Sequence, residues 1–261
     1  MSDNKSVDAD RLWQEWFTSS AFSIDRPLRK IFRVLPHDPR CKFCYAPFHG
    51  VGSTIVRALF GKQRSALNPR FCNICEEYSR KFPGGAEVEM SMLFADVRGS
   101  TALSEQMSPR EFSQLINRFY IESTKAINEE DGLVEKLAGD AVAAFWGAGF
   151  AGSNYIRRTL NAAQQLLSVM EFEKIPVGIG VHSGVAYFGA MGTADGLTEI
   201  SAIGDEVNTA ARLASKAAAG EIIVSEQALK EAGMNGSGLE SRSLELKGIN
   251  EPVHVRVMRG T

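Results

Sequence analysis

Hydrophobic positions along this chain follow two patterns, and the change between them falls at Pro83-Gly84-Gly85. Beyond that run, Val88, Met90, Met92 and Phe94 fall on one side at period two, which predicts a strand over residues 88–95 ending at Asp96. Ser108-Pro109-Arg110-Glu111 then supplies an N-cap serine, a proline at the first helical position and a glutamate placed for a capping box. The helix it opens has Phe112, Leu115, Ile116, Phe119 and Ile127 on one face, expected to be core and assigned no chemistry. Residues 132–137 and 141–146 read as strands of a hairpin turning through Ala138-Gly139-Asp140. A helix over about 155–171, strands at 177–181 and 185–188 and a helix over about 206–218 follow. This order predicts an α+β fold, a ferredoxin-like βαββαβ sheet with helices on one face.

Ahead of the glycines the pattern is helical and shorter. Leu12, Trp13, Trp16 and Phe17 make an apolar stripe behind Asp8 and Asp10, which suit the positive end of a helix dipole. Such a stripe packs on the rest of the chain or on a dimer mate. Residues 22–40, with Pro27, Pro36 and Pro39, read as an irregular connector. The expected organisation is therefore a helix and connector over 1–40, a small module over 41–85 and a larger domain over 86–261.

All four cysteines fall in that small module, as Cys41-Lys-Phe-Cys44 and Cys72-Asn-Ile-Cys75, with 27 residues between the pairs. Two such knuckles bring four thiolates together, which completes a tetrahedral zinc shell; an iron–sulfur cluster is the alternative. Disulfides are disfavoured in a reducing compartment. The stretch Gly50–Phe60 between the knuckles is expected to form a short helix, and His49 reads as a surface or supporting residue.

Composition narrows the function classes. At 261 residues with 44% hydrophobic and 23% charged residues, the chain can bury a full core, and no apolar run approaches a bilayer span. The polar start MSDNKSVDAD lacks a secretory pattern, so the expectation is a cytoplasmic protein without a membrane span. The net charge of -2 hides an asymmetry: residues 1–85 carry 14 Lys and Arg against 8 Asp and Glu, and the remainder 15 against 23. A basic lead segment suits nucleic acid, anionic lipid or an acidic partner, and equally the acidic domain of its own chain.

Asp96 and Asp140 end a strand and a hairpin turn, with Lys136 four residues before the second, and Asn208 and Arg212 lie four apart on one helix face. Paired carboxylates with these partners are parts for two-metal chemistry on a nucleotide polyphosphate. Taken singly, each aspartate would pass as a cap or turn residue and Arg212 as a surface ion-pair partner.

From about residue 87 to 258 the chain resembles a class III nucleotidyl cyclase catalytic domain. The matching blocks are FADVRGSTALSE, GLVEKLAGDAVAAFWG, VGIGVHSGVAYFGAMG, SAIGDEVNTAARL and LELKGINEPVHV, in the family's order. The resemblance implies that Asp96 and Asp140 hold two Mg²⁺ or Mn²⁺ ions, that Asn208 orients the ribose, and that Arg212 meets charge on the transferring phosphoryl group. It implies also that Lys247 holds the triphosphate and that Lys136 and Ser201 read the base. A lysine donates to adenine N1 and a hydroxyl accepts from the 6-amino group, so the implied substrate is ATP. The Glu and Cys of the family's guanine readers do not occur at these positions. Ser201 stands where some members have Asp, and the resemblance associates a Thr or Ser there with bicarbonate stimulation; Ser100 stands where many have Phe.

Family geometry divides each site between protomers, and one sequence here holds every part, so a homodimer with two equivalent sites is expected. The module at 41–85 abuts the catalytic domain, which suggests regulation by its metal or by a partner bound there. The alternatives are a catalytically silent signalling scaffold, a guanylate cyclase and, resting only on the basic lead segment, a zinc-bearing nucleic-acid binder. A diguanylate-forming enzyme is disfavoured, because the turn reads LAGDA.

Overall fold

The strand leading to Asp96 forms as β1 (Gly84–Val97), longer at both ends than the period-two run. The structure is a computed structural model and describes residues 3–18, 25–36, 39–192, 198–249 and 251–260. By internal contacts the chain makes two compact units, residues 1–88 with 187–202, and residues 89–186 with 203–261. Among the described residues, no helix is long and apolar enough to cross a membrane.

In the second unit, β1 is followed by α5 (Ser100–Gln106), α6 (Pro109–Glu129), β2 (Leu133–Ala138), β3 (Ala141–Trp146), α7 (Ala148–Ala151) and α8 (Tyr155–Phe172). The chain continues as β4 (Val177–Gly192), β5 (Thr198–Ile203), α9 (Asp205–Lys216), β6 (Glu221–Ser225), α10 (Glu226–Glu231), β7 (Glu240–Leu244) and β8 (Val253–Arg259). The sheet runs β2-β3-β1-β4-β6-β8-β7, and β5 pairs with β4 off this path. Its first four strands have the ferredoxin-like order expected of a βαββαβ core.

The capping box forms as its residues dictate: Ser108 Oγ accepts from Glu111 N, and the Glu111 carboxylate accepts from Ser108 N at 2.9 Å. Helices α6 and α8 pack on each other and share a face of the sheet, where Ile222 lines a groove with Ala126 and Leu167. The next residue, Ile223, points the other way into a cluster with Leu213, Ala217, Leu246 and Val255. Helix α9 therefore lies across the opposite face, over the parallel pair β4 and β6.

Three expectations need correction in this unit. Residues 177–181 and 185–188 are one continuous strand, because Gly184 makes no turn; a Cβ there would meet the Glu206 side chain at 2.8 Å, so the glycine admits a close neighbour. Phe94 is only half-buried, since it shares a face with Asp96, whereas Leu93, Ala95 and Val97 are buried on the other. Phe112 and Ile116 on α6 are likewise half-buried rather than core, for they line an open groove described below.

The first unit holds α1 (Asp3–Thr18), α2 (Asp25–Val34), α3 (Gly50–Phe60) and α4 (Asn73–Lys81), with the start of β1, the end of β4 and most of β5. The tryptophan stripe packs within it: Trp13 and Phe17 are fully buried, and Trp13 Nε1 donates to Phe82 O at 2.9 Å. Trp16 stacks on Phe43 with ring centroids 4.0 Å apart, and Phe17 meets Phe188 at 4.6 Å. Because α1 starts at Asp3, Asp8 and Asp10 lie in its middle and not in its first turn. The expected connector is in part the helix α2; Pro27 falls in the first turn, where a missing N–H costs nothing, and Phe32 is fully buried. Residues 22–24 and 37–38 of that connector lie outside the described residues. The short helix expected between the cysteine pairs is α3.

Candidate active site

Asp96 and Asp140 are brought side by side by the β1–β3 ladder. The register pairs Asp96 with Ala141, and Val97 N donates to Asp140 O at 2.9 Å. Asp96 is ion-paired with Arg98, and Ser100 Oγ at the start of α5 donates to Asp140 Oδ2. Burial raises the Asp96 pKa above the usual carboxylate range; Arg98 opposes that shift and the neighbouring Asp140 charge adds to it. Two crowded carboxylates of this kind are hard oxygen donors short of positive charge, which fits them to Mg²⁺ or Mn²⁺.

Beside Asp140 opens a groove of about 550 Å³, lined by Ser100, Thr101, Ser104, Phe112, Ile116 and Tyr120 among others. Tyr120 Oη donates to Gly139 O at 2.7 Å, which ties α6 to the hairpin turn, and burial together with Asp140 raises its pKa.

Asn208 and Arg212 both lie on α9, Asn208 exposed and Arg212 half-buried. Arg212 comes against the loop after β7: a Cβ on Gly248 would sit 3.5 Å from its guanidinium, so Arg212 is neighbour to the exposed Lys247. The helix is held close to β4 because Gly180 has no side chain. A Cβ there would lie 2.2 Å from Ala214 N. Lys136 is exposed on β2, where the β2–β3 register shifts between Val134 and Lys136. Ser201 lies on β5 in the first unit, on the partly exposed face of a strand whose Thr198, Ile200 and Ala202 are buried.

The four cysteines converge. None forms a disulfide, all are buried, and their sulfurs lie within 4.8 Å of one another. Cys44 and Cys72 sulfurs are 3.8 Å apart, the edge of a tetrahedron with metal–sulfur bonds of about 2.3 Å. Backbone N–H groups point at the sulfurs, from Cys72 to Cys41 at 3.2 Å and from Cys75 to Cys72 at 3.5 Å. Hydrogen bonds from Cys41 hold the Cys44 and Cys72 thiols below their ordinary range. Burial raises Cys41, and hydrogen bonding with Cys41 raises Cys75. Lys62 is held above its ordinary range, its burial outweighed by the charges of Cys44, Cys75, Cys72 and Cys41. The donor set and spacing fit a single ion enclosed by four sulfurs.

Sequence reasoning missed the supporting residues. Arg98 and Ser100 stand two residues beyond Asp96 and at the start of the next helix, a proximity that alone marks no role. It missed also the buried His182, whose Nδ1 meets Ser225 Oγ at 2.7 Å and whose Nε2 meets the Glu206 carboxylate. That bridge fastens the first turn of α9, two residues before Asn208, to the sheet.

A family model described as the adenylate and guanylate cyclase catalytic domain matches residues 85–255. A protein of Mycobacterium tuberculosis without an assigned function is 31% identical over 206 residues, covering 77% of this chain and 37% of that protein. An adenylate cyclase of Anabaena cylindrica is 30% identical over 185 residues, 64% of this chain and 36% of its own length. The chain thus spans little more than a third of the curated relatives it matches. Among solved structures, the guanylyl cyclase Cya2 superposes with a TM-score of 0.61 at 24% identity, over 68% of this chain and 94% of that one. The adenylyl cyclase CyaB from P. aeruginosa does so at 0.60 and 23%, over 67% and 96%. At these identities the structural likeness is one of fold.

Proposed function

Because the chain belongs to the adenylate and guanylate cyclase catalytic domain family, we propose that it is an adenylate cyclase, converting ATP to 3',5'-cyclic AMP and pyrophosphate at sites shared between two copies of the chain. The observation that carries this reading is the juxtaposition of Asp96 and Asp140 across β1 and β3. Two Mg²⁺ or Mn²⁺ ions held there would lower the pKa of the ribose 3'-hydroxyl and offset the charge of the triphosphate. The 3'-oxygen bonds to the α-phosphorus, the bond from that phosphorus to the bridging oxygen breaks, pyrophosphate leaves with the electron pair, and the hydroxyl proton passes to water.

The chain's own residues position and neutralise. Arg98 and Ser100 orient the two carboxylates. Asn208 holds the ribose, Arg212 faces the charge on the transferring phosphoryl group, and Lys247 grips the triphosphate; the placement of Arg212 against the Lys247–Gly248 loop supports a common task. Lys136 donates to adenine N1 and Ser201 accepts from the 6-amino group, a pairing that favours ATP over GTP. That a single sequence carries the aspartates, the base readers and the phosphate-facing residues together supports a two-fold dimer in which one protomer supplies the metal face and its partner the rest. The four cysteines hold a structural zinc ion, a role for which their 4.8 Å enclosure is too tight for a cluster of several irons.

The test is to incubate the purified chain with ATP or GTP and Mn²⁺ or Mg²⁺ and identify the product by mass. Cyclic AMP and pyrophosphate in equal amounts are expected. A product from GTP alone would make it a guanylate cyclase, and an inert but folded dimer would leave a silent scaffold.

A further inference from the structure

Strand β5 bonds to β4 on one edge, and side chains of the four-cysteine module meet its backbone. The buried Asn68 donates through Nδ2 to Thr198 O at 3.0 Å, and Lys42 Nζ donates to Ile200 O at 3.5 Å. Carbonyls two residues apart leave a strand in the same direction, so both donors meet β5 from the same side. Arg70 adds an ion pair to Glu199 at 3.4 Å.

These three donors belong to the turns that present the sulfurs. Lys42 lies inside the first cysteine pair, and its N–H donates to Arg70 O at 2.9 Å, joining the two knuckles. Asn68 is fixed by its own turn: Ser65 Oγ accepts from Asn68 N at 3.3 Å, and Asn68 Oδ1 accepts from Arg70 N at 3.1 Å. Two residues beyond Arg70 comes Cys72, whose N–H is committed to the Cys41 sulfur. Whatever holds the sulfurs together therefore holds Asn68, Lys42 and Arg70 in line with β5. A cation bound by the four buried sulfurs would hold the two knuckles closed.

Ser201 follows Ile200 directly. We propose that the metal-loaded cysteine module is a clamp on β5, and that through this strand the ion sets the position of the base-reading Ser201. The part of this proposal that concerns the base rests on the adenylate cyclase reading, whereas the clamp itself does not. Asn68 acts in it as a positioning residue.

The experiment uses the full chain. Elemental analysis should find one zinc per chain, and hydrogen–deuterium exchange is then followed over residues 198–203 with the metal present, after chelation, and in Asn68→Ala, which keeps all four sulfur ligands. Chelation and Asn68→Ala should each speed exchange in β5 and leave the β2–β3 hairpin unchanged. Asn68→Ala should also retain its zinc and lower the ATP-over-GTP ratio of kcat/KM by about tenfold, the worth of one hydrogen bond. A chain that binds no metal, or a β5 whose exchange ignores both treatments, overturns the clamp. If no cyclic nucleotide forms at all, the activity reading fails and the exchange measurement still decides the clamp.

Discussion

The backbone N–H of Val97 donates to the carbonyl oxygen of Asp140 at 2.9 Å. That bond extends the β1–β3 ladder one step past the pairing of Asp96 with Ala141, so the two residues are neighbours in the backbone, and the charge of Asp140 reaches the Asp96 carboxyl. Strand pairing sets the backbone positions of the two residues, and Arg98 and Ser100 hold their side chains.

Replacing either carboxylate should therefore remove most of the activity. Asp96→Ala and Asp140→Ala are each expected to lower kcat by about a thousandfold or more, since each removes several kcal/mol of charge stabilisation. Arg212→Ala should be similarly inert. An equal mixture of Asp96→Ala and Arg212→Ala chains should recover about a quarter of the wild-type rate, because half the dimers are mixed and each has one whole site. Cyclic AMP production after subunit exchange measures it, and a mixture that dimerises but stays inert would rule out shared sites.

Ser100 offers a gentler test of the same centre. Its hydroxyl donates to Asp140, so Ser100→Ala frees that carboxylate to rotate without removing a ligand. The Mn²⁺ or Mg²⁺ concentration for half-maximal activity is expected to rise about tenfold, with kcat at saturating metal nearly kept. A titration of metal at fixed ATP separates this from a loss in kcat, which would place Ser100 in the chemistry itself.

The strand and helix order, the hairpin and the convergence of the cysteines were legible because each is written in local pattern: alternation ending at Asp96, the Ser108 capping box, two CxxC turns. What was not legible depended on contacts across long separations. His182 reads as one polar residue in an apolar strand until Ser225 and Glu206 fold against it. Phe112 and Ile116 carry the period of core residues, yet they flank a groove because Tyr120 bonds to the hairpin turn beside them. Likewise nothing in residues 198–200 announces that Asn68 and Lys42 will donate to their carbonyls.

Gly180 ties packing to the site. The backbone of α9 passes so near that a Cβ at this position would lie 2.2 Å from Ala214 N and 2.7 Å from Ala210 O. Both are backbone atoms, so no rotamer change relieves the clash and the helix must shift. Gly180→Ala should cost about 1–3 kcal/mol in denaturant unfolding and lower kcat more than tenfold by displacing Asn208 and Arg212. Full activity in this variant would show that α9 tolerates the shift and that its position is loosely set.

Glu221 gives the fold a pH dependence whose sign can be worked out. Its side chain is 7% exposed and accepts from Arg242 at 2.7 Å and 2.9 Å and from Arg259 at 2.8 Å. The Arg242 hydrogen bonds, against the effect of burial, hold its carboxyl down to about 2 from an ordinary value of 4.5. Between those values the unfolded chain binds the proton and the folded one does not, so this contribution is complete above pH 4.5 and is lost as pH falls towards about 2. Glu221→Gln should cost about 2 kcal/mol at pH 7, with the gap to wild type narrowing as acid is added. Urea unfolding of both proteins at several pH values between 7 and 3 measures it. A gap that stays constant over that range would mean that the cluster joining β6, β7 and β8 is held by shape and not by charge.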